Sequence, residues 1–510
     1  RRSRERYFCS RRVGKWNSER RIKKLMKLKY LINSREIKDK YINILGISEN
    51  SKEIKKNYIF FYKNKKKFHK KYIQDAINNG AKLIIYSGEL IFNIEKYKDQ
   101  CQFYKTNDIN KLMSITAKKF YNIDDKKIKI VGITGTNGKS TIANYIAQLM
   151  KFRNEKCGII GTLGNGIYPY LIEKKLTTPN IIDINRNISL FAKKNTTNLV
   201  MEVSSHGIKQ NRIQGLKFDT VVFSNLTHDH LDYHKTMKDY YDTKLMLFTK
   251  YKSKRKVICI DNYYGKKIYK HFKNEKNIKT VSLINKKANY YSTNIKYCKD
   301  GIKFTINSKY GSREVKLKLY GEFTIENILL AIASLVKNKL EYNTCINNLS
   351  RLKPVEGRMN KFYKKKFPTV FIDFAHTPEA IKKLLKSIKK HYPDKEIITV
   401  FGCGGDRDTK KRKIMGKIVS KFSDEVIITS DNPRNEDPVR IANDIILGIP
   451  PEKNFEIILK RSLAIRKCLN KNNSEKIALI LGKGHEDYQD IKNKKIKHKD
   501  SIEILKILNK

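Results

Sequence analysis

The 510-residue sequence has few residues that interrupt or cross-link a chain, and no long apolar segment. Proline occurs only 10 times, and the 8 cysteines are scattered from Cys9 to Cys468 without a C-x-x-C pair. Scattered thiols indicate a reducing compartment rather than a disulfide scaffold or a zinc ribbon. The most apolar stretch, 328–336, is interrupted by Ser334 and is much shorter than the roughly 18 residues of a membrane span. These absences predict a cytoplasmic protein with no membrane span.

Acidic residues are also scarce, with 50 Asp and Glu against 109 Lys and Arg, a formal charge of +59. Such a charge favours a nucleic-acid-binding NTPase as an alternative function. However, the lysines are spread along the whole chain together with Ile, Asn and Tyr, residues of AT-rich codons. The sequence shows no helicase-like or basic–aromatic motif. We therefore expect no specific nucleic-acid partner.

The first 25 residues differ from the rest because they contain eight arginines, whereas the remainder prefers lysine. Met26 then opens a plausible start, MKLKYLI. Arg- and Ser-rich leaders can be transit peptides, but an over-extended reading frame or a fragment end is the preferred interpretation. Residues 1–25 are therefore expected to be an extraneous or disordered leader.

Length and pattern together predict three α/β domains, because domains average about 150 residues. The predicted boundaries are 26–121, 122–357 and 358–510. In the second and third blocks, buried strands alternate with helices long enough for parallel, Rossmann-like sheets, and 262–320 is predicted to be a polar, β-rich edge.

The segment GITGTNGKST, residues 132–141, lies between a buried strand and an amphipathic helix, which is the context of a phosphate-binding loop. Glycines let backbone N–H groups approach phosphates, and the helix N-terminus favours negative charge. The standard glycine five positions before Gly138 is replaced by Ile133, and an ordinary glycine turn is the alternative. The residues predicted to bind the nucleotide here are Gly135, Thr136, Asn137, Gly138, Lys139, Ser140 and Thr141.

Four of the 10 histidines fall between His206 and His234. THDHLDYH resembles the H-x-H-x-D-H pattern of metallo-hydrolases, but its last histidine is one position late, and the upstream phosphate loop argues against a zinc hydrolase. Hydrogen-bonded histidines in a polar loop are the plain alternative. Together with Glu202 in MEVSSHG, this cluster can share Mg²⁺ at neighbouring strand ends.

Ten motifs carry a resemblance to a known family. They are, in chain order, GITGTNGKST, TTPN, MEVSSHGIKQNR, NLTHDHLDYH, KLMLF, EGRMN, DFAHTPEA, FGCGGDRDTKKR, SDNPRNEDP and LGKGHEDYQ. Together they resemble the Mur ligases, and within that family the branch that adds the third amino acid of the peptidoglycan precursor. Another Mur ligase or a folylpolyglutamate synthase is the alternative within the superfamily, against which SDNPRNEDP and GKGHEDYQ argue.

The resemblance implies an N-terminal UDP-substrate domain, a central P-loop ATPase domain and a C-terminal Rossmann-like domain. It also implies that ATP activates the glutamate carboxylate of UDP-N-acetylmuramoyl-L-alanyl-D-glutamate as an acyl phosphate, which an amine then attacks. We expect the enzyme to be a monomer.

Site residues follow from the same resemblance. Lys244 in DTKLMLF matches a lysine that the family carbamylates with CO₂; nothing else in the sequence distinguishes it from a surface lysine. The implied catalytic residues are Lys139, His230, Lys244 and Asp373, and His376 is expected to face the cleft. The implied Mg²⁺ ligands are Ser140, Glu202, His230 and Lys244 as its carbamate. Asn327 and Arg358 are expected to meet ATP, whereas Thr324 replaces a family asparagine and makes one nucleotide contact doubtful.

Two substrate-binding sets complete the expectation. Ser51 is preferred to Ser34 as the uridine-binding serine, because YIFFYK follows it. The UDP-muramoyl-dipeptide is expected to contact Ser51, Thr177, Thr178, Ser204, Gln210 and Arg212. The motif D-N-P-R marks family members that use meso-diaminopimelate. A guanidinium can bind the distal carboxylate of this amino acid through two parallel hydrogen bonds. The diaminopimelate set is Arg407, Asp431, Asn432, Pro433, Arg434, Gly482 and Glu486.

Overall fold

The computed structural model describes residues 26–63, 69–172 and 176–509, so the predicted leader 1–25 lies outside the described residues. By its internal contacts the chain divides into two compact units. The first holds the residues up to Ile123 together with Ile181–Ser189, and the second holds Asp124–Asn180 and the residues from Leu190 onward. The domain boundaries at residues 121 and 357 stay predictions. Among the described helices, none is long and apolar enough to cross a membrane.

The first unit is a small parallel sheet covered on both faces by helices. Its elements are β1 (Met26–Lys27), α1 (Leu28–Leu31), β2 (Asn43–Ile44), β3 (Gly46–Ser48), β4 (Tyr58–Tyr62), α2 (Lys70–Asn78), β5 (Ala81–Tyr86), β6 (Gln102–Lys105) and α3 (Ile109–Tyr121). Strands β3-β4-β5-β6 pair in parallel, and β1 and β2 form a separate antiparallel ribbon. Leu83 and Ile85 pack towards α1 and α3, whereas Ile84 packs towards α2, because neighbouring side chains of a strand point to opposite faces.

The second unit begins with a large mixed sheet. Its strands are β7 (Lys129–Thr134), β8 (Cys157–Gly161), β9 (Gly164–Ile167), β10 (Tyr170–Ile172), β11 (Asn198–Glu202), β12 (Phe218–Phe223), β13 (Ser253–Cys259), β14 (Ile278–Ser282), β15 (Tyr290–Cys298), β16 (Gly301–Ser308) and β17 (Gly311–Leu317). The helices are α4 (Lys139–Phe152), α5 (Ile181–Ala192, which belongs to the first unit as far as Ser189), α6 (Ser205–Lys209), α7 (Leu231–His234), α8 (Met237–Thr249), α9 (Tyr263–Phe272), α10 (Glu322–Leu335) and α11 (Lys339–Asn347).

The order of this sheet is β10-β9-β8-β11-β7-β12-β13-β14-β15-β16-β17. From β8 to β15 the strands are parallel, and antiparallel strands close both edges, so the predicted β-rich edge at 262–320 is present beside helix α9. The chain runs from β7 to β8 and β11 on one side and then to β12 on the other. Such a switch point is where open α/β sheets bind ligands.

A second sheet follows in the same unit, with both faces covered by helices. Its elements are β18 (Asn360–Phe362), β19 (Thr369–Asp373), α12 (Pro378–His391), β20 (Ile397–Phe401), α13 (Lys410–Phe422), β21 (Glu425–Ile428), α14 (Pro438–Ile446), β22 (Phe455–Ile457), α15 (Arg461–Cys468), β23 (Ile477–Leu481), β24 (Tyr488–Ile491), β25 (Lys494–Lys497) and α16 (Asp500–Leu508). The order is β18-β19-β23-β20-β21-β22, parallel except for β18, and β24 and β25 form a hairpin. The predicted α/β class with Rossmann-like parallel sheets is confirmed.

Helix α12 shows how local sequence sets one of these elements. The Thr377 hydroxyl caps the helix by accepting a hydrogen bond from the Ala380 N–H, and Pro378 occupies its first turn. Its last residue, His391, is buried and contacts the large sheet. Nε2 of His391 accepts a hydrogen bond from the Gly321 N–H at 3.2 Å, and Nδ1 lies 2.9 Å from the Cys298 carbonyl oxygen. Because Nε2 must accept and Nδ1 must donate, this histidine is neutral here.

Protonation of His391 should therefore weaken the fold. Burial lowers the pKa of His391 below its ordinary value of about 6.5. As pH falls through about 6.5, the unfolded chain takes up a proton that the folded chain does not, so the free energy of unfolding decreases. The His391→Gln side chain cannot be protonated. The free energy of unfolding of this variant, measured by urea denaturation at roughly pH 7.5 and 5.5, should therefore fall less between the two pH values than that of the unsubstituted protein. An equal loss in both proteins would contradict the assignment.

Candidate active site

A cavity of about 450 Å³ opens where loops of the two sheets of the second unit meet. Most of the residues predicted from the sequence line it. From the large sheet these are Thr136, Asn137, Gly138, Lys139, Ser140, Thr141, Thr177, Glu202, Ser204, His230 and Asn327. From the second sheet and the segment before it they are Arg358, Asp373, His376, Arg407, Asp431, Asn432, Arg434, Gly482 and Glu486. Gly135, Lys244, Thr178, Gln210, Arg212 and Pro433 lie outside the lining, and Ser51 belongs to the first unit.

The phosphate loop joins β7 to α4 and needs its two glycines. Gly135 has φ +151°, and a Cβ atom there would lie 2.0 Å from the Ser224 hydroxyl oxygen. Gly138 has φ +90°, and a Cβ atom there would lie 2.5 Å from Oδ1 of Asn327. The loop is tied to the end of β12, because the Asn137 N–H donates to Oδ1 of Asn225 at 3.0 Å. Asn327 is thus adjacent to the phosphate loop, and its contact with the nucleotide stays a prediction.

Lys139 and Lys244 point their amines at the same backbone carbonyl. Nζ of Lys139 donates to the Gly135 oxygen at 2.8 Å, and Nζ of Lys244 donates to it at 3.0 Å. Lys244 is only 1 % exposed, so it is a buried residue and not a surface lysine. Burial and the neighbouring Lys139 charge hold the pKa of Lys244 well below its usual range, and burial also lowers the pKa of Lys139. Lys244 is therefore an amine with a strong tendency to be neutral.

Glu202 ends β11 with its carboxylate oriented by one neighbour. Oε1 accepts the Thr162 N–H at 2.9 Å, and Oε2 accepts the Thr162 hydroxyl at 3.1 Å. The Ser140 hydroxyl in the first turn of α4 lines the same cavity. A carboxylate and a hydroxyl are oxygen donors of the kind that Mg²⁺ prefers, so the residues present fit that ion.

Asp229 is a buried carboxylate that the sequence analysis did not single out. Its oxygens lie 3.5 Å from Nε2 of His230, 3.9 Å from Nε2 of His376 and 3.8 Å from Nζ of Lys411. Burial acts to raise the pKa of Asp229, but these three neighbours outweigh it and lower the pKa. Burial lowers the pKa of His230. The signal was present in the sequence, because Asp229 lies inside the histidine cluster, between His228 and His230.

Thr178 is the centre of the predicted precursor-binding set. Its hydroxyl donates to the Glu202 carbonyl oxygen at 2.9 Å and lies 3.0 Å from the Ser204 hydroxyl oxygen, and it accepts the Ser204 N–H at 2.9 Å. Arg212 donates to the Thr178 carbonyl oxygen at 2.8 Å and to Oε1 of Gln210 at 3.0 Å. Thr178, Ser204, Gln210 and Arg212 therefore form one hydrogen-bonded group behind the cavity wall.

Asp373 and Arg358 face each other where the second sheet meets the cavity. Asp373 ends β19, and its carboxylate accepts the N–H groups of Met359 and Ala375 at 2.9 and 2.8 Å. Burial raises the pKa of Asp373, and the Arg358 charge opposes this shift. The Arg358 guanidinium lies 4.1 Å from the centre of the Phe374 ring. This arrangement holds a cation and a carboxylate beside the cavity without exposing either fully.

The predicted diaminopimelate residues converge after β20, β21 and β23. Arg434 has φ +52°, and its Nη1 donates to the Gly405 carbonyl oxygen at 2.6 Å. Its backbone is fixed by the hairpin, since the Arg434 N–H donates to the Asp490 carbonyl oxygen and the Lys492 N–H donates to that of Arg434. Gly482 has φ +106°, and a Cβ atom there would lie 2.6 Å from Oδ2 of Asp431. These contacts place the motifs SDNPRNEDP and LGKGHEDYQ side by side.

Two buried lysines of this region were also missed. Lys411 is the second residue of α13 and contacts Asp229. Lys483 follows β23 and lies between Asp431 and Glu486. Both stand inside motifs that were recognised, DTKKR and GKGHED. In a chain with so many lysines, only a position directly after an apolar strand or at a helix start would have distinguished them.

The chain matches two family profiles in these regions. Residues 133–335 match the Mur ligase middle domain, and residues 357–484 match the Mur ligase glutamate ligase domain. The chain belongs to the Mur ligase family. A curated relative from Wigglesworthia glossinidia brevipalpis, named UDP-N-acetylmuramoyl-L-alanyl-D-glutamate–2,6-diaminopimelate ligase, is 40% identical over 92% of this chain and 96% of its own length. A relative of the same name from Clostridium tetani is 36% identical, over 94% and 97%.

Solved structures agree with this membership. A structure of a UDP-N-acetylmuramoyl-L-alanyl-D-glutamate–2,6-diaminopimelate ligase matches this Mur ligase with a TM-score of 0.68 and 30% identity, covering 95% of this chain and 99% of the other. A crystal structure of MurF from Acinetobacter baumannii matches with a TM-score of 0.63 at 12% identity, covering 92% and 94%, and shows the shared fold alone.

Thr178 offers a test of how this Mur ligase holds together the group that is predicted to bind the precursor. Thr178→Val removes a buried hydroxyl while keeping the side-chain shape, so the Ser204 N–H loses its acceptor. We expect the free energy of unfolding to fall by about 1–3 kcal/mol, measured by urea denaturation.

Thr196→Val is the matched control. Thr196 is as buried as Thr178, but its hydroxyl has no hydrogen-bond partner among the described residues. Removing it should leave stability unchanged or improved. Equal effects of the two substitutions would show that the Thr178 hydrogen bonds contribute nothing.

Proposed function

We propose that this Mur ligase adds meso-2,6-diaminopimelate to UDP-N-acetylmuramoyl-L-alanyl-D-glutamate with ATP, in the cytoplasmic synthesis of peptidoglycan precursor. One observation carries the proposal: a phosphate loop and the D-N-P-R and GKGHED motifs line the same cavity. Phosphoryl transfer and amide formation require the nucleotide, the carboxylate and the amine to meet at one place. The names of the relatives support the same reaction.

In this reaction the precursor's glutamate carboxylate attacks the γ-phosphorus of ATP, and ADP leaves. The amine then attacks the resulting acyl phosphate, phosphate leaves, and an amide remains. Negative charge accumulates where two anions meet, and Lys139 and the backbone N–H groups at the start of α4 stabilise it. Asn327, beside Gly138, and Arg358, beside Phe374, would hold the nucleotide. Thr177, Ser204 and the Thr178 group would hold the muramoyl dipeptide, with Ser51 of the first unit on the uridine.

The oxygen donors of the cavity suit Mg²⁺. Ser140, Glu202 and His230 would hold it, and the ion would neutralise phosphate charge when bound. The Asp229 carboxylate lies 3.5 Å from Nε2 of His230 and 3.9 Å from Nε2 of His376, so its charge would help to orient both rings. Asp373 lies close enough to Arg358 for their charges to interact, and would orient the guanidinium towards the nucleotide.

Lys244 would act as a carbamate. Carbamate formation needs a neutral amine, and burial beside Lys139 lowers the pKa of Lys244 in that direction. The product is an anion, which converts a repulsive contact with Lys139 into an attractive one and supplies an oxygen for Mg²⁺. Both amines already meet at the Gly135 carbonyl oxygen, which brings the charges close enough for this effect.

Lys244→Ala should lower kcat by about 100-fold or more, because the missing group is an oxygen ligand. Small carboxylates added to the assay should restore part of the activity. ADP formation with all three substrates is the measurement, and Lys238→Ala, which removes an exposed lysine of the same helix, is the control. A fully active Lys244→Ala enzyme would contradict the role.

The choice of amino acid rests on Arg434. One Nη atom of this guanidinium is bound to the Gly405 carbonyl oxygen, and Nε lies 3.9 Å from Oδ2 of Asp490. The rest of the guanidinium is available to the distal carboxylate of meso-diaminopimelate, a group that lysine lacks. Arg407 lines the same end of the cavity, and Glu486 would meet the distal ammonium.

We expect a strong preference for meso-diaminopimelate over L-lysine, largely lost in Arg434→Ala. Leaving this arginine without its anionic partner costs about 2–5 kcal/mol, which predicts a large difference in kcat/KM. The measurement is product formation from ATP, the UDP-dipeptide and each amino acid. Comparable kcat/KM values for both amino acids in the unsubstituted enzyme would refute the proposed substrate.

A further inference from the structure

Lys483 is fully buried at the amino-acid end of the cavity, with 0 % of its surface exposed. Its Nζ donates to Oε2 of Glu486 at 2.8 Å and to Oδ1 of Asn432 at 3.0 Å, and it lies 3.5 Å from Oδ1 of Asp431. Burying an ammonium group costs free energy unless it is paired and hydrogen-bonded. Here all of its partners belong to the two segments that form the amino-acid pocket.

These contacts fix the orientation of the Asn432 amide. Its Oδ1 accepts from Lys483 and also from the Asp490 N–H at 2.9 Å, so this atom must be the oxygen. The Nδ2 group then points to Glu486 and donates to Oε2 at 2.9 Å. Lys483 and the Asp490 N–H together therefore fix the orientation in which Asn432 donates to Glu486.

The Glu486 carboxylate is consequently used on one side only. Oε2 accepts two hydrogen bonds, from Lys483 and Asn432. Oε1 accepts none within the described part of the chain, while Glu486 lines the cavity with its side chain 21% exposed. One carboxylate oxygen is thus held in place and left open to a ligand.

We propose that Lys483 is a positioning residue that holds one oxygen of Glu486 and leaves the other free for the distal ammonium of the amino acid. The proposal rests on the proposed function, because it concerns the amino acid which that reaction adds. Lys483 itself touches no substrate; it acts through Glu486 and Asn432.

The test compares Lys483→Met with the unsubstituted full chain, using ATP, the UDP-dipeptide and either meso-diaminopimelate or L-lysine. We expect KM for meso-diaminopimelate to rise about 10-fold or more, with KM for ATP and the UDP-dipeptide within about 2-fold. L-lysine carries the same distal ammonium group, so its KM should rise as well. Lys483→Arg, which keeps the charge, should restore part of the affinity for meso-diaminopimelate.

Lys494→Met is the matched control, because it removes an exposed lysine from the neighbouring hairpin. It should leave KM for meso-diaminopimelate unchanged. An unchanged KM for meso-diaminopimelate in Lys483→Met, or an equal rise in KM for ATP and the UDP-dipeptide, would overturn the proposal.

A second pair of variants decides the case if Lys483→Met does not fold. Lys483→Met/Glu486→Gln removes the charge of both partners, and its KM for meso-diaminopimelate should be no higher than that of Glu486→Gln alone. A further rise of about 10-fold would show that Lys483 does not act through Glu486. If the unsubstituted enzyme forms no product with any amino acid, the proposed function fails, and calorimetric binding of the two amino acids to both proteins decides on Lys483 separately.

Discussion

The cavity depends on the fact that parallel strands end at the same edge of a sheet. In the large sheet, β7, β11 and β12 bring the phosphate loop, Glu202 and Asn225 to one edge. In the second sheet, β19, β23, β20 and β21 do the same for Asp373 and the loops that follow the other three strands. Reactive groups that are far apart in sequence therefore lie close together in space, and the residues next to each group in the chain do not have to bring this about.

This geometry also explains how far the sequence could be interpreted. The strands around the phosphate loop and helix α12 were predictable, because their apolar periodicity and end signals are local. Helix α9 was missed, although Asn262 caps its start by accepting the Gly265 N–H; only Gly265 and Ile268 of this helix are buried. The burial of Lys244 and the central position of Asp229 depend on residues tens to hundreds of positions away, which no local pattern reports. The family resemblance named Lys244 but gave no physical reason for it.

The basic composition has a particular meaning inside the second unit. Lys139, Lys244, Lys411 and Lys483 are buried or in the cavity wall, and each has a short contact to a backbone carbonyl or a carboxylate. Many of the other lysines that the structure describes are exposed, and water and salt screen their charge. The general charge of the chain and the local charge of the cavity are thus separate properties, and only the second bears on the reaction.

The hairpin of β24 and β25 gives the D-N-P-R segment a neighbour that lies almost 60 residues further along the chain. Arg434 forms a parallel bridge with Ile491, and its backbone is held between Asp490 and Lys492. The four-letter motif is thus half of a composite part, and the other half is the stretch 482–497. Transplanting the motif alone into another protein would introduce the arginine without the hairpin backbone that orients it. In evolution, likewise, we expect the sequences of the two stretches to change together.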